Sequence, residues 1–328
     1  MRAWVLKSRP NGMPQPSDFD LVETPDQPLQ DGQIRVRNLW LSVDPYMRGR
    51  MNDAKSYVPP FQLGEPMQGG AVGEVVESRN PGFAPGDKVL HMAGWRDTAT
   101  IGAEAMPQKL PSIGVSDDTW LHNLGLTGGT AYFGLLRTAE AKAGDVVFVS
   151  AAAGAVGSAV VQIAKLKGMT VIGSAGGADK VAFVKELGAD ACIDYKAGPV
   201  LPQLAKAAPD GIDVYFDNVG GEHLDAAFAT ARQWARFAIC GMIDVYNDGK
   251  PQELKYIIRT IPTRLTMRGF IYTDYMADFP AFTQEMGGWV AGGKIKARTT
   301  VRDGLDATLD AFLGLFSGAN TGKMLVRL

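Results

Sequence analysis

The residues best suited to chemistry begin with Ala152-x-Gly154-x-x-Gly157. Small residues at this spacing let a pyrophosphate lie against backbone at a helix N-terminus, where unpaired N–H groups and the helix dipole favour negative charge. A β-carbon at position 154 would hold the phosphate off, and one at 157 would hold the helix away from the strand before it. Ala152, Gly154, Ala155, Val156 and Gly157 are therefore candidate cofactor-binding residues. The pattern is the dinucleotide fingerprint with alanine in place of its first glycine. About 20 residues on, an NAD site carries an acid for the ribose 2′-hydroxyl. Here that stretch reads Gly173-Ser174-Ala175-Gly176-Gly177, with no acid before Asp179; Lys180 follows, and later Tyr195-Lys196. A neutral Ser174 and a cationic Lys180 suit a 2′-phosphate, which favours NADP(H). A solvated lysine in a first helical turn is the alternative reading of Lys180.

The elements around the motif fit that use. Val146 to Val149 form a β-branched run typical of a strand buried on both faces. Val156, Val160, Ile163 and Ala164 recur at helical spacing, and Gly168 is placed to end that helix. Further strands are expected at 170–174, 191–194, 212–217, 234–240 and 266–271. Helices are expected at 123–140, 179–187, 221–232, 280–290 and 303–317, with a last strand at 323–328. This alternation predicts a doubly wound parallel sheet. Residues before about 120 differ: prolines cluster there between short alternating segments such as Gln33 to Leu39, as in an antiparallel, barrel-like β domain. The expected division is a β domain over 1–122 with a C-terminal return over 296–328, and a dinucleotide domain over 123–295.

In a doubly wound sheet the reactive ring lies beyond the carboxyl ends of the central strands. Three segments fall there: Asp217-Asn218-Val219-Gly220, Cys240-Gly241-Met242 leading to Tyr246, and Phe270-Ile271-Tyr272. Asn218 is a fitting partner for a ribose or a carboxamide. At 328 residues, 46% apolar and with a formal charge of −2, the chain is an ordinary globular protein without a nucleic-acid face or a membrane-binding basic helix. It has no apolar run of about 18 residues. Cys192 and Cys240, both expected in buried strands, exclude a disulfide scaffold and fit the reducing cytoplasm. His91, His122 and His223 show no ligand spacing with them and are read as surface or hydrogen-bonded structural residues, so no metal is expected.

Taken together, these residues resemble the medium-chain dehydrogenase/reductase superfamily over nearly the whole chain. Within it, Ser42-Val43-Asp44-Pro45-Tyr46-Met47-Arg48, the 151–158 turn, Asp217-Asn218-Val219-Gly220-Gly221, Cys240-Gly241-Met242-Ile243 with Tyr246-Asn247, and Gly322-Lys323-Met324 are similar to the zinc-free branch of prostaglandin, leukotriene and alkenal double-bond reductases. Where zinc-dependent relatives carry G-H-E, this chain has Gly64-Glu65-Pro66. The resemblance implies an α/β protein with a GroES-like β-barrel domain and a Rossmann domain. It implies that Lys180 and Tyr195 meet the 2′-phosphate region. Asn218 and Asn320 would meet the cofactor elsewhere, with Cys240, Gly241, Met242, Phe270 and Ile271 beside it. Tyr46, Met47, Tyr57, Tyr246 and Tyr272 would line the substrate side; ordinary packing is the alternative for the first three. It implies a homodimer joined through the strand at 266–271. Two positions depart from the branch: Gly177 replaces a serine, and Asp194 stands where relatives tend to have asparagine.

The expected activity is NADPH-dependent reduction of the C=C bond of α,β-unsaturated aldehydes and ketones. Hydride adds to the β-carbon, charge spreads onto the carbonyl oxygen, and a proton reaches the α-carbon. Tyr246 is the candidate proton donor or oxyanion partner; solvent is its rival. Two other readings stay open: a quinone reductase, and a non-catalytic NADPH-binding protein.

Overall fold

The computed structural model describes residues 1–249 and 251–328. The chain forms two compact units, one of 1–121, 299–320 and 324–328, the other of 122–298 and 321–323.

The first unit is mostly β. Its strands are β1 (Arg2–Leu6), β2 (Phe19–Glu23), β3 (Ile34–Ser42), β4 (Ala71–Ser78), β5 (Lys88–His91), β6 (Thr98–Ile101) and β7 (Gln108–Lys109), with one turn of helix, α1 (Met47–Arg50). β1 and β2 pair with each other. The rest, joined by two C-terminal strands, make a seven-stranded, largely antiparallel sheet. Strand β3 organises it. Ile34, Val36 and Asn38 alternate inward at the two-residue period of a strand. The buried Asn38 amide donates to the carbonyls of Ala93 and Arg96, and its oxygen meets His91 Nε2 at 2.9 Å.

The second unit opens with α2 (Leu126–Phe133) and continues β8 (Val146–Val149), α3 (Ala155–Leu166), β9 (Thr170–Ala175), α4 (Ala178–Glu186), β10 (Ala191–Asp194), α5 (Val200–Ala207), β11 (Ile212–Asp217), α6 (Gly221–Thr230), β12 (Ala231–Ile239), α7 (Thr260–Thr263), β13 (Thr266–Gly269) and α8 (Phe279–Ala291). The strands lie in the order β10-β9-β8-β11-β12-β13, and every pairing is parallel. The order reverses between β8 and β11. The turns after these two strands therefore flank the crevice in which such sheets bind ligands. The chain then returns to the first unit through β14 (Thr299–Asp303), α9 (Thr308–Ser317) and β15 (Lys323–Arg327). Leu309 and Phe312 of α9 enter the core made by Leu6, Leu41, Met67 and Trp95, with Phe312 edge-on to Trp95 at 5.6 Å.

Several expectations change. Helix α5 was hidden by Pro199 and Pro202; both fall at its start, where a missing N–H costs nothing. The helix expected over 123–140 is an α-helix to Phe133 followed by a π-turn, Gly134–Thr138. Its Gly134 packs on Phe216 and Phe270 so closely that a β-carbon would overlap both rings. Thr299–Asp303 is a strand, and the α-helix after it starts at Thr308. Cys240 lies one residue beyond β12, and both cysteines are only partly buried by residue exposure. All three histidines are buried, which rules out a surface role for any of them. Among the described residues no helix is long and apolar enough to cross a membrane.

Candidate functional site

The site of the second unit is built along the carboxyl ends of its parallel strands. After β8 the chain turns through Ala151, whose φ of 47° is left-handed. Ala152 N–H donates to the Ser174 carbonyl and Gly154 N–H to the Ala151 carbonyl. Gly154 is the N-cap of α3, and no side chain caps the helix. A β-carbon on Gly157 would overlap the Ala151 carbonyl, so α3 can start this close to the strand only with glycine there. Ala152 and Gly157 are buried, whereas Gly154, Ala155 and Val156 keep access to solvent. The first-turn N–H groups of an uncapped helix are thus presented at its open mouth, which fits the phosphates of a dinucleotide. The segment Thr321–Lys323, just after Asn320, closes one side: Gly322 N–H donates to the Ala153 carbonyl at 2.7 Å.

The turn after β9 forms a second cradle. A β-carbon on Gly176 would collide with the Tyr195 hydroxyl and crowd the Lys196 side chain. Burial lowers the Lys180 pKa, and the neighbouring positive charge of Lys196 lowers it further. Two cations and a phenol therefore converge on one bare turn, a donor set suited to a dianion. Asp194 does not oppose it. Its Oδ1 accepts from the N–H groups of Gly177 and Lys196, both at 2.9 Å, and these bonds hold its carboxyl below the usual range. Ser174 is turned away from this cradle: it is fully buried, and its hydroxyl meets His223 Nε2 at 2.9 Å.

The remaining candidates follow β11, β12 and β13. Asn218 donates its amide to the Ser150 carbonyl at 2.8 Å, and its backbone N–H to the Ser150 hydroxyl. The N–H groups of Cys240 and Gly241 both reach the Asp217 carbonyl. The Tyr246 hydroxyl accepts from Met242 N–H at 3.2 Å, so this phenol lies on the turn that leaves β12. Its O–H is a separate donor. The Phe270 ring is core, edge-on to Phe216 at 6.1 Å, and only its backbone remains for a ligand. Ile271 is partly exposed, and Tyr272 packs its ring on Gly129 and Phe279.

In the first unit, Tyr46, Tyr57, Arg50 and Ser56 line a cavity of about 40 Å³. Burial raises the Tyr46 pKa, with the Asp44 charge adding to it. Tyr57 is 61% exposed. Met47 is fully buried against Gly69 and cannot face a substrate: the turn of α1 that exposes part of Tyr46 points its neighbour inward. The Arg50 guanidinium donates to the Pro59 carbonyl and to Gln68, and lies over the Phe61 ring at 4.1 Å.

A family model described as the N-terminal domain of oxidoreductase matches residues 2–109, and one described as zinc-binding dehydrogenase matches 155–287. The NADPH-dependent curcumin reductase of Escherichia coli is 42% identical, over 100% of this chain and 96% of that protein. Mouse prostaglandin reductase 1 is 39% identical, over 99% and 98%. The crystal structure of CurA from Vibrio vulnificus in complex with NADPH superposes with a TM-score of 0.94 at 42% identity, covering 100% of this chain and 99% of that one. The chain belongs to the zinc-free branch of the medium-chain dehydrogenase/reductase superfamily. Among its described residues, no three or more His, Cys, Asp or Glu side chains cluster as metal ligands.

Sequence reasoning did not single out Ser150 or His223 for the candidate site, and it placed Lys196 and Asp217 in segments of the site without giving either a role of its own. The available signal was position: Ser150 and Asp217 are polar residues closing apolar strands. His223 lies 49 residues from Ser174 and gave no such signal. Burial holds its imidazole neutral, down to about 4, against about 6.5 in an unfolded chain. Between these values the unfolded state binds the extra proton, so stability is fully present above about pH 6.5 and is lost as pH falls towards 4. Chemical denaturation from pH 7 downwards should show this slope, reaching about 1.4 kcal/mol per pH unit for one group. His223→Gln should flatten it, leaving the share of His91, which burial lowers to about 3.

Proposed function

We propose that this chain is an NADPH-dependent reductase of the C=C bond of α,β-unsaturated aldehydes and ketones. The observation that carries the reading is the Tyr246 phenol on the turn after β12, in the row of strand ends that holds Asn218. Relatives named as curcumin, prostaglandin and 2-alkenal reductases support it, as does a similar protein crystallised with NADPH.

The turn from Gly154 to Gly157 would hold the pyrophosphate by backbone N–H groups. Lys180, Tyr195 and Lys196 would hold the 2′-phosphate around Gly176, and Asn218 and Asn320 would meet the ribose or the carboxamide. Bound NADPH would supply a hydride for the β-carbon of the substrate. As charge develops on the carbonyl oxygen, a fixed donor stabilises it. The Tyr246 O–H is that donor, or the acid that delivers the proton to the α-carbon. Tyr46 and Tyr57 would line the substrate side with aromatic surface.

The proposal extends to assembly. Strand β13 is the edge of the parallel sheet, and all four of its residues are exposed. Its Met267, with Ile257, Ile258 and Ile261 beside the strand, lines an open apolar hollow of about 390 Å³. An apolar sheet edge invites pairing, and a second copy meeting it edge to edge would bury it. The cytoplasm is the proposed location.

Wild-type protein should oxidise NADPH with a simple enal or a conjugated enone and release the saturated carbonyl. Turnover of quinone alone would defeat the reading. Tyr246→Phe should lower kcat on the enal about a hundredfold or more while leaving the NADPH Kd unchanged; full activity in this variant would remove Tyr246 from the chemistry. Lys196→Ala should cut the kcat/KM preference for NADPH over NADH by about tenfold, as expected for one charge-assisted bond. An unchanged preference would place Lys196 outside the phosphate site. Light scattering should find a dimer for wild type and a monomer for Ile261→Asp; a dimer in both would move the interface elsewhere.

A further inference from the structure

We propose that Asp217 is the positioning residue for the nicotinamide half of the cofactor, and that the adenosine half binds without it. The inference rests on the NADPH reading above and deepens it.

Asp217 ends β11 and is fully buried. Its main-chain carbonyl accepts from Cys240 N–H at 2.9 Å and from Gly241 N–H at 3.1 Å. Its side-chain Oδ1 accepts from the Tyr215 hydroxyl at 2.7 Å, from Gly220 N–H at 2.8 Å and from Val219 N–H at 2.9 Å. The Ser150 hydroxyl approaches the same oxygen at 3.3 Å and itself accepts from Asn218 N–H at 2.9 Å. One residue thereby ties together the turns after β8, β11 and β12. These turns carry Asn218, Cys240, Gly241, Met242 and, through Met242, Tyr246.

The carboxyl is an unusual choice for a purely structural tie. Its other oxygen, Oδ2, is buried without a hydrogen-bond partner, and among the described residues no cation pairs with Asp217. Burial pushes its pKa up while the Oδ1 donors pull the other way. A buried carboxyl held only by neutral donors is costly. Two of those donors, though, are the loop N–H groups of Val219 and Gly220, which would otherwise be left unsatisfied where the sheet must stay open to a ligand. Towards the phosphate turn Asp217 makes one bond, the 3.3 Å approach of the Ser150 hydroxyl. Ala152, Gly154 and Gly177 are fixed by Ser174, Ala151 and Asp194 instead. Removing Asp217 should therefore loosen one half of the cofactor site and leave the other intact.

The test is direct binding, by calorimetry, of NADPH and of 2′,5′-ADP, which carries the 2′-phosphate and no nicotinamide. Asp217→Ala should weaken NADPH about tenfold or more, the scale of losing one or two buried hydrogen bonds, and leave 2′,5′-ADP within about twofold. Asp217→Asn keeps an acceptor oxygen and should fall between wild type and Asp217→Ala. If Asp217→Ala does not fold, Ser150→Ala should give the same selective loss at smaller size, because it frees the Asn218 N–H. Equal weakening of both ligands would reduce Asp217 to a general stabiliser and overturn the proposal, as would unchanged NADPH binding. No turnover is needed, so the result stands apart from the choice between enone, quinone and no substrate. If wild type itself binds neither ligand, the cofactor reading fails, and this inference with it.

Discussion

Helix α3 can begin where it does only because Gly157 has no β-carbon. Any other residue would drive its side chain into the Ala151 carbonyl. This close approach fixes the angle at which the chain leaves β8. Ala151 itself is left-handed, which costs an alanine roughly 1 kcal/mol. The turn tolerates that strain because its neighbours over-determine it, with bonds from Ala152 to Ser174, from Gly154 to Ala151 and from Gly322 to Ala153. With no side chain capping α3, its first N–H groups stay at the mouth of the sheet. The rest of the site is arranged around that fixed set of donors.

The second recurring device is a polar residue at the end of an apolar strand. The bodies of β8, β9 and β11 are buried on both faces, as helices on both sides require. Ser150, Ser174 and Asp217 come where those strands stop. Each is buried, so each needs partners. Ser174 takes His223, Ser150 takes Asn218, and Asp217 takes three N–H or O–H donors together with Ser150. Ser150 and Asp217 therefore bind each other and hold the loops after β8 and β11 together, while Ser174 ties β9 to α6. An apolar residue at Ser150 or Asp217 would remove that tie between the loops.

This explains what could be read from the chain and what could not. Strand-helix alternation, the glycine turn and the strand ends are local patterns, and β8 to β13 follow them closely. Helix α5 escaped because Pro199 and Pro202 look like breakers unless the helix start is already known. The π-turn after Phe133 begins at Gly134, which packs on the rings of Phe216 and Phe270, distant in sequence. Side-chain direction was the least legible property. Met47 and Phe270 were expected beside ligands, yet both are swallowed by the cores of their own units. Ser174 was expected to face a phosphate, but its partner is a histidine on another helix.

The inward turn of Ser174 shifts the burden of recognition. On the proposed reading its hydroxyl, engaged by His223 and shielded from solvent, is a poor partner for a 2′-phosphate. Selectivity then falls on groups that no fingerprint contains. The missing β-carbon of Gly176 makes room for the Tyr195 hydroxyl and the Lys196 stem, and Lys180 approaches from the first turn of α4. Burial lowers the Lys180 pKa, and its like-charged neighbour Lys196 lowers it further, so the two cations repel each other. Such a pair gains most from an anion placed between them. Asp194 would cancel that gain if it faced the same point. Its carboxylate is instead anchored to the Gly177 and Lys196 N–H groups, shaping the cradle from behind. The acid that looked adverse in the sequence is thus part of the frame.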